Sequence, residues 1–256
     1  MLPGYALAIV VGLVLGLLGG GGAILTIPVL HHVMGYSVRE AVPMSLVVVG
    51  ITSILGAVFH RQQGHVRLRT AFGFGVPAIL GAVLGADLGP RVRDGARLTV
   101  FAVVLLIAAV LMFRGRGGSP DSGSGPEPPP RRPQPFITMV GGAVGFLTGF
   151  IGVGGGFAYV PALTVLGGLP IRDAIGTSLV LITLSCAAGL ARYLGNPAPG
   201  GAGGLDWPVI ALFTGLALVG AGIGSRLVPF VSQARLRGGF AAFLVVLGLV
   251  VLLVRR

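Results

Sequence analysis

The chain has 256 residues, 54% of them hydrophobic and 10% charged, with a mean hydropathy of +0.96, whereas soluble domains carry about 25% charged residues. That composition excludes a soluble catalytic domain and places the chain in a bilayer. Its formal charge of +11 comes from eighteen Arg and no Lys, almost all between the apolar runs; they mark topology and lack the aromatic interleaving of a nucleic-acid-binding face.

Residues 1–5 lack a basic leader region and no small-residue cleavage site follows the first apolar run, so that segment is expected to stay in the mature protein. It covers residues 3–34, and some 30 helical residues would measure about 45 Å, too long for one ordinary crossing. Within it, Gly19, Gly20, Gly21 and Gly22 together cost a helix about 4 kcal/mol relative to alanine. A break is therefore predicted, leaving residues 3–18 and 23–34 as a re-entrant or elbowed pair. Apolar runs at 41–59, 71–88 and 98–113 follow, each of about spanning length.

Residues 114–135 are rich in Gly, Ser, Pro and Arg, a composition that buries no core and reads as a solvated linker. Beyond it the pattern begins again, with apolar runs at 136–166, 174–194, 207–228 and 239–254. The second long run carries Gly152, Gly154, Gly155 and Gly156 and reaches Pro161, which lies 133 positions after Pro28. At that offset Gly12, Gly16, Gly19, Leu30, Gly35, Arg39, Ala41, Ser45, Leu46 and Gly56 all meet an identical residue. The expected fold is an all-α polytopic membrane protein with two homologous halves. Residues 1–113 form the first transmembrane repeat, 114–135 the linker and 136–256 the second repeat, each repeat having one glycine-broken helix and about three full spans. If the broken segment enters and returns, the Arg divide about 11 to 7 between the two faces, with the linker on the rich side. A single crossing would divide them about 10 to 8. The first arrangement fits the positive-inside rule better and makes the repeats inverted.

Unwound backbone inside a membrane must be buried in protein or line a polar cavity, because each unpaired peptide group in hydrocarbon costs several kcal/mol. Helices starting after Gly22 and Gly156 would aim free N–H donors and positive dipole ends at a shared centre, which suits an anion. The predicted substrate-binding residues are Gly19, Gly20, Gly21, Gly22 and Ser45, with Gly154, Gly155, Gly156, Thr177 and Ser178 in the second copy. Pro28 and Pro161 each remove a backbone donor beside the break and are predicted to shape the site. Arg39 and Arg172, interfacial anchors by default, are the candidates for steering anions inward. Against these stand blander roles. Buried Ser and Thr often bond back to their own helix, and Gly12/Gly16, Gly81/Gly85, Gly145/Gly149 and Gly220/Gly224 have the spacing of close helix packing.

Other chemistry finds little support. Cys186 is the sole cysteine and fits a small packing residue. His31, His32, His60 and His65 lie near segment ends with no HExxH pattern, so they are expected at the interface, with proton coupling as the rival role. Asp87 and Arg226 hold matching places and read first as solvated loop-edge charges, with pairing across the pseudo-axis as the rival. No GxxxxGK[ST] loop or GxSxG elbow is present, so no catalytic residue, metal site or cofactor is predicted.

The glycine-rich starts running to Pro28 and Pro161, the Gly176-Thr177-Ser178-Leu179 helix opening, the Asp206-Trp207 entry and the Gly-Ala-x-x-Gly motifs resemble the TauE/SafE sulfite exporter family, also called the 4-toluene sulfonate uptake permeases. The likeness covers both halves outside the linker. It implies a secondary transporter of small anions such as sulfite, sulfoacetate or other organosulfur anions, resident in the bacterial inner membrane. Alternating access about the repeat interface would be driven by protons as coupling ion or by the anion's own gradient. A homo-oligomer is compatible with such a chain. The first half departs from the pattern with Pro43-Met44 where the second has Gly176-Thr177. A passive anion channel is the main alternative, with an intramembrane enzyme and a non-transporting scaffold behind it.

Overall fold

The structure, a computed structural model, describes residues 2–88, 92, 94–114, 133–151, 156–195 and 205–254. Among them every regular element is helical. In chain order these are α1 (Leu2–Leu18), α2 (Gly21–Pro28), α3 (Val38–Gln62), α4 (Leu68–Leu88), α5 (Asp94–Arg114), α6 (Gln134–Ile151), α7 (Gly156–Pro161), α8 (Ile171–Gly195), α9 (Trp207–Leu227) and α10 (Gln233–Val254). Six of the helices, α3, α4, α6, α8, α9 and α10, are long and apolar enough to cross a membrane. Arg114 and Gln134 are helical, so the expected linker loses a residue or two at each end; its remainder lies outside the described residues.

Local chemistry sets the helix ends. Ser37 caps α3 by accepting from the Glu40 N–H while the Glu40 carboxylate accepts from the Ser37 N–H at 3.0 Å, a reciprocal pairing of two otherwise orphaned donors. Asp206 caps α9 through the Val209 N–H at 3.2 Å. These polar caps lie outside the apolar runs, which is why α3 extends beyond the predicted 41–59. Pro28 and Pro161 act alike. Each lacks the N–H that would pair four residues back, and each is followed by one π-helical turn, Val29–Val33 and Ala162–Leu166. The turns close with Met34 N–H on the Val29 carbonyl at 3.1 Å and Gly167 N–H on the Ala162 carbonyl at 2.8 Å.

Glycine permits the closest helix contacts. Helices α1 and α9 run side by side in the same direction, with Gly12 against the Ala217 backbone and Gly16 against Ala221; Gly220 and Gly224 of α9 meet Ile9 and Leu13 in return. Helices α6 and α4 repeat this, with Gly145 on Ala78 and Gly149 on Ala82, and with Gly81 and Gly85 facing Gly142 and Phe146. A Cβ at any of these eight glycines would run into the partner's backbone, so all four GxxxG pairs serve packing, the role small residues take between membrane helices.

Two further pairs are antiparallel. Gly56, Gly50 and His60 of α3 meet Leu179, Cys186 and Gly176 of α8, while Gly248 and Arg237 of α10 meet Leu106 and Met112 of α5. Met34 packs against Gly4, so the first broken segment returns to the end of the molecule where α1 began. The second does likewise, since Phe136 and Ile137 line one apolar crevice with Leu166 and Gly167. Gly167 stands where the first copy has the space-filling Met34.

Large apolar side chains cover the outside, among them Leu84, Leu80, Met139, Val246 and Phe113. Buried polar groups such as Thr26, Thr52, Ser53, Thr177, Ser178 and Ser225 lie within. Apolar outside with polar groups inside suits a chain solvated by lipid.

Candidate functional site

The glycine break is where the two broken segments touch. Gly19 follows α1 with φ +77, a left-handed conformation that glycine adopts without the Cβ penalty. A side chain there would also meet Ser178 Oγ at 2.6 Å and the Ile175 Cα at 3.3 Å. At Gly20 a Cβ would strike the Gly156 carbonyl, and at Gly156 it would lie 3.2 Å from the Gly20 oxygen and from Ala23. The end of α1 and the start of α7 therefore meet backbone to backbone. Gly21 faces Phe243 and Val14, while Gly22 packs on Val11 and Leu15 of α1. Gly154 and Gly155 lie outside the described residues.

No side chain caps α2 at Gly20, and Gly21 and Gly22 are buried. Uncapped N–H groups at a buried helix start need another partner, and the dipole makes that end positive. This contrasts with α3 and α9, which carry side-chain caps at the molecule's ends.

The predicted hydroxyls fall into two groups. Ser178 lies beside Gly19 and donates to the Ile175 carbonyl at 2.8 Å; Ser45, its counterpart in α3, donates to the Val42 carbonyl at 2.7 Å. Both keep oxygen lone pairs but spend their hydrogens on their own helices. Thr177 Oγ1 instead accepts the Arg67 N–H at 3.1 Å and is tied to the start of α4. Arg39 is exposed at the start of α3. Arg172 donates through Nη2 to the Pro229 and Val231 carbonyls at 3.1 and 3.0 Å, so it braces the turn between α9 and α10.

Two cross-links between the halves were not anticipated. Asp173, 5% exposed, accepts from Arg67 Nη2 at 2.9 Å and Nε at 3.0 Å and contacts His65 Nδ1 at 2.9 Å. Both Arg67 bonds fall on Oδ2 while His65 meets Oδ1, and the cluster joins the α3–α4 turn to α8. At the start of α9, Tyr36 OH donates to Asp206 at 2.8 Å. Burial and the Asp206 carboxylate push the Tyr36 hydroxyl up to about 12. The signal for this cluster was His65 and Arg67 together in a short turn between apolar runs.

The histidines also differ from expectation. His60 is fully buried, not interfacial, because α3 continues past its apolar run and α1 covers it: Nε2 meets the Gly16 carbonyl at 3.1 Å. Asp87 and Arg226 do not pair; Asp87 takes Arg192 at 3.1 Å, and Arg226 sits over the Phe59 ring at 5.4 Å. Among the described residues no cluster could hold a metal ion.

The family model described as Sulfite exporter TauE/SafE matches residues 5–251. A "probable membrane transporter protein" of Xylella fastidiosa is 32% identical over 88% of this chain and 84% of its own length. One of Methanocaldococcus jannaschii is 28% identical over 96% and 95%. A "Sulfite exporter TauE/SafE family protein 2" of Arabidopsis thaliana shares 32% identity over 34% of this chain and 20% of its own. No solved structure matches.

Proposed function

This chain belongs to the sulfite exporter TauE/SafE family, and from that premise we propose that it is a secondary transporter moving sulfite, sulfoacetate or another small organosulfur anion by alternating access. That it is a multi-pass membrane transporter follows from the family; the substrate class and the mechanism are our reading. The observation that carries it is the buried, uncapped start of α2 laid against the start of α7 beside Ser178. Bare N–H groups and a positive helix end, held where water is scarce, stabilise an oxyanion at little reorganisation cost.

The anion would take its donors from the backbone N–H groups of Gly21 and Gly22 and from those at Gly154 to Gly156, with Ser45 and Ser178 alongside; the Gly19 and Gly20 N–H groups are spent on the Leu15 and Leu18 carbonyls at 2.8 and 3.1 Å, so those two residues shape the turn. Pro28 and Pro161 would set the angle of each break through the π turns that follow them. We read the two halves as inverted repeats. Supporting this, α1 parallels α9 and α6 parallels α4, while α3 opposes α8 and α5 opposes α10. With both broken segments returning to their own side, the first would enter from one face and the second from the other. The linker then lies on the Arg-rich face, which the positive-inside rule makes cytoplasmic.

In that arrangement the Arg67–Asp173–His65 cluster seals the linker face and Tyr36–Asp206 seals the opposite one. Each seal joins residues of different halves, so rocking of one half on the other opens one while closing the other. Purified protein in proteoliposomes tests the reading. Saturable sulfite flux, accelerated by unlabelled sulfite on the far side, is expected; unsaturable flux without such acceleration would make it a channel, and no flux with any organosulfur anion would remove the substrate assignment.

A further inference from the structure

His60 is the one titratable side chain that is fully buried yet has a bare ring nitrogen among the described residues. Its Nε2 lies 3.1 Å from the Gly16 carbonyl. A carbonyl only accepts, so Nε2 carries the hydrogen and the neutral ring must keep its lone pair on Nδ1. Nδ1 has no partner. A buried acceptor left unpaired costs about 1–3 kcal/mol, and an ionisable group at such depth in a membrane protein is a functional candidate by its position alone.

The surroundings give that lone pair a use. Gly16 lies in α1 one turn before Gly19, so the ring is fastened to the helix that ends at the break. The His60 carbonyl accepts the His65 N–H at 2.9 Å, which ties it to the Asp173 cluster, and its Cβ touches Gly176 of α8. Gln63, one turn on, donates to the Ser225 carbonyl of α9 at 3.2 Å. Gln63 Oε1 and Ser225 Oγ are both buried and unpartnered, so acceptors stand on the same interface near the helix end.

We propose that His60 is a proton-binding site that couples proton uptake at the linker face to the conformation of the α1 break. This rests on the transporter reading above. A hydronium ion arriving past Gln63 gives its proton to Nδ1 and leaves as water; the imidazolium then donates from both nitrogens, strengthening the bond to Gly16 and adding one positive charge near the anion site. Few other charges face it. Helix α1 contributes none, α8 offers Asp173, already held by Arg67 and His65, and α9 offers Arg226, engaged with Phe59. On α3 itself Arg61 points out to the exposed side.

Histidine-labelled protein in nanodiscs, followed by nitrogen NMR with the His60→Gln variant assigning the signal, tests this directly. The expected result is an Nε2–H tautomer under alkaline conditions that gains a second proton on acidification, with a midpoint displaced by saturating sulfite. An Nδ1–H tautomer, a ring that stays neutral throughout, or a midpoint indifferent to bound sulfite would overturn the proposal. His60→Gln keeps a donor for Gly16, so it should bind sulfite within about threefold of wild type while its flux loses the pH dependence that sulfite's own titration does not explain. Unchanged pH dependence in the variant would also overturn it. Should wild type bind no sulfite, the substrate assignment falls, and the protonation of Nδ1 is then decided by the titration without ligand.

Discussion

At Gly20 a single added methyl separates two accounts of the polyglycine run, because it would enter the Gly156 backbone. Overpacking of this kind costs about 1–3 kcal/mol, and here it acts on the junction itself. Gly20→Ala is expected to reduce sulfite flux about tenfold or more, measured in proteoliposomes at equal insertion. Gly215→Ala, where a Cβ meets nothing within 4 Å, should leave flux unchanged and serves as the comparison. Ser178→Ala removes a hydroxyl that donates to the Ile175 carbonyl and would turn from it to donate to the anion, so stability should change by under about 1 kcal/mol while sulfite affinity falls. Equal loss in both measurements would make Ser178 a structural residue. The break was legible because four adjacent glycines have no other economical use in a membrane helix. The burial of His60 was not, since it depends on α1 covering the last turn of α3, a contact no local pattern announces.

Helices were the most legible level, and their ends the least. Runs of spanning length declare a membrane helix, but polar caps such as Ser37 and Asp206 belong to the helix they start while looking like loop residues. The same limit applies to Pro28 and Pro161: the lost donor was legible, and the π turns that follow express it as a one-residue slip in hydrogen-bond register. GxxxG spacings foretold close packing without naming partners. Their pairing leads to a stability prediction, since a methyl at Gly145 would strike the Ala78 carbonyl and wedge α6 from α4. Gly145→Ala should lower stability by about 1–3 kcal/mol, read as a drop in melting temperature in detergent. An unchanged melting temperature would mean that these helices are not held at backbone contact.

Across the whole molecule, sequence duplication pointed to two halves and Arg placement to their relative direction, but the cross-links between the halves pair residues that the duplication does not pair. Asp173 maps to the acidic Glu40 but Tyr36 to Leu169, and Arg67 and Asp206 hold like positions at the starts of α4 and α9 with opposite charge. The two cross-links therefore differ, one a charged pair with two Arg67 bonds on Oδ2, the other a single hydroxyl. Arg67→Gln is expected to raise labelling of cysteines placed on the linker-face approach to Gly20, and Tyr36→Phe to raise it from the opposite face; the same response to both would refute alternating seals. A Tyr36 hydroxyl raised to about 12 keeps its proton through the ordinary alkaline range, so its contribution is complete below the usual tyrosine value near 10 and is lost only as pH climbs through about 12. In an ultraviolet titration the late-ionising absorbance should shrink by one phenol in Tyr36→Phe. The convergence of the two glycine breaks on an anion is tested most directly by an electron cryomicroscopy map of the protein in nanodiscs at saturating sulfite. Density for the anion at the Gly21 and Gly22 amides beside Ser178, with the Gly20–Gly156 backbone contact parted to admit it, is the predicted result. Sulfite bound elsewhere, with that junction closed by helix against helix, would contradict it.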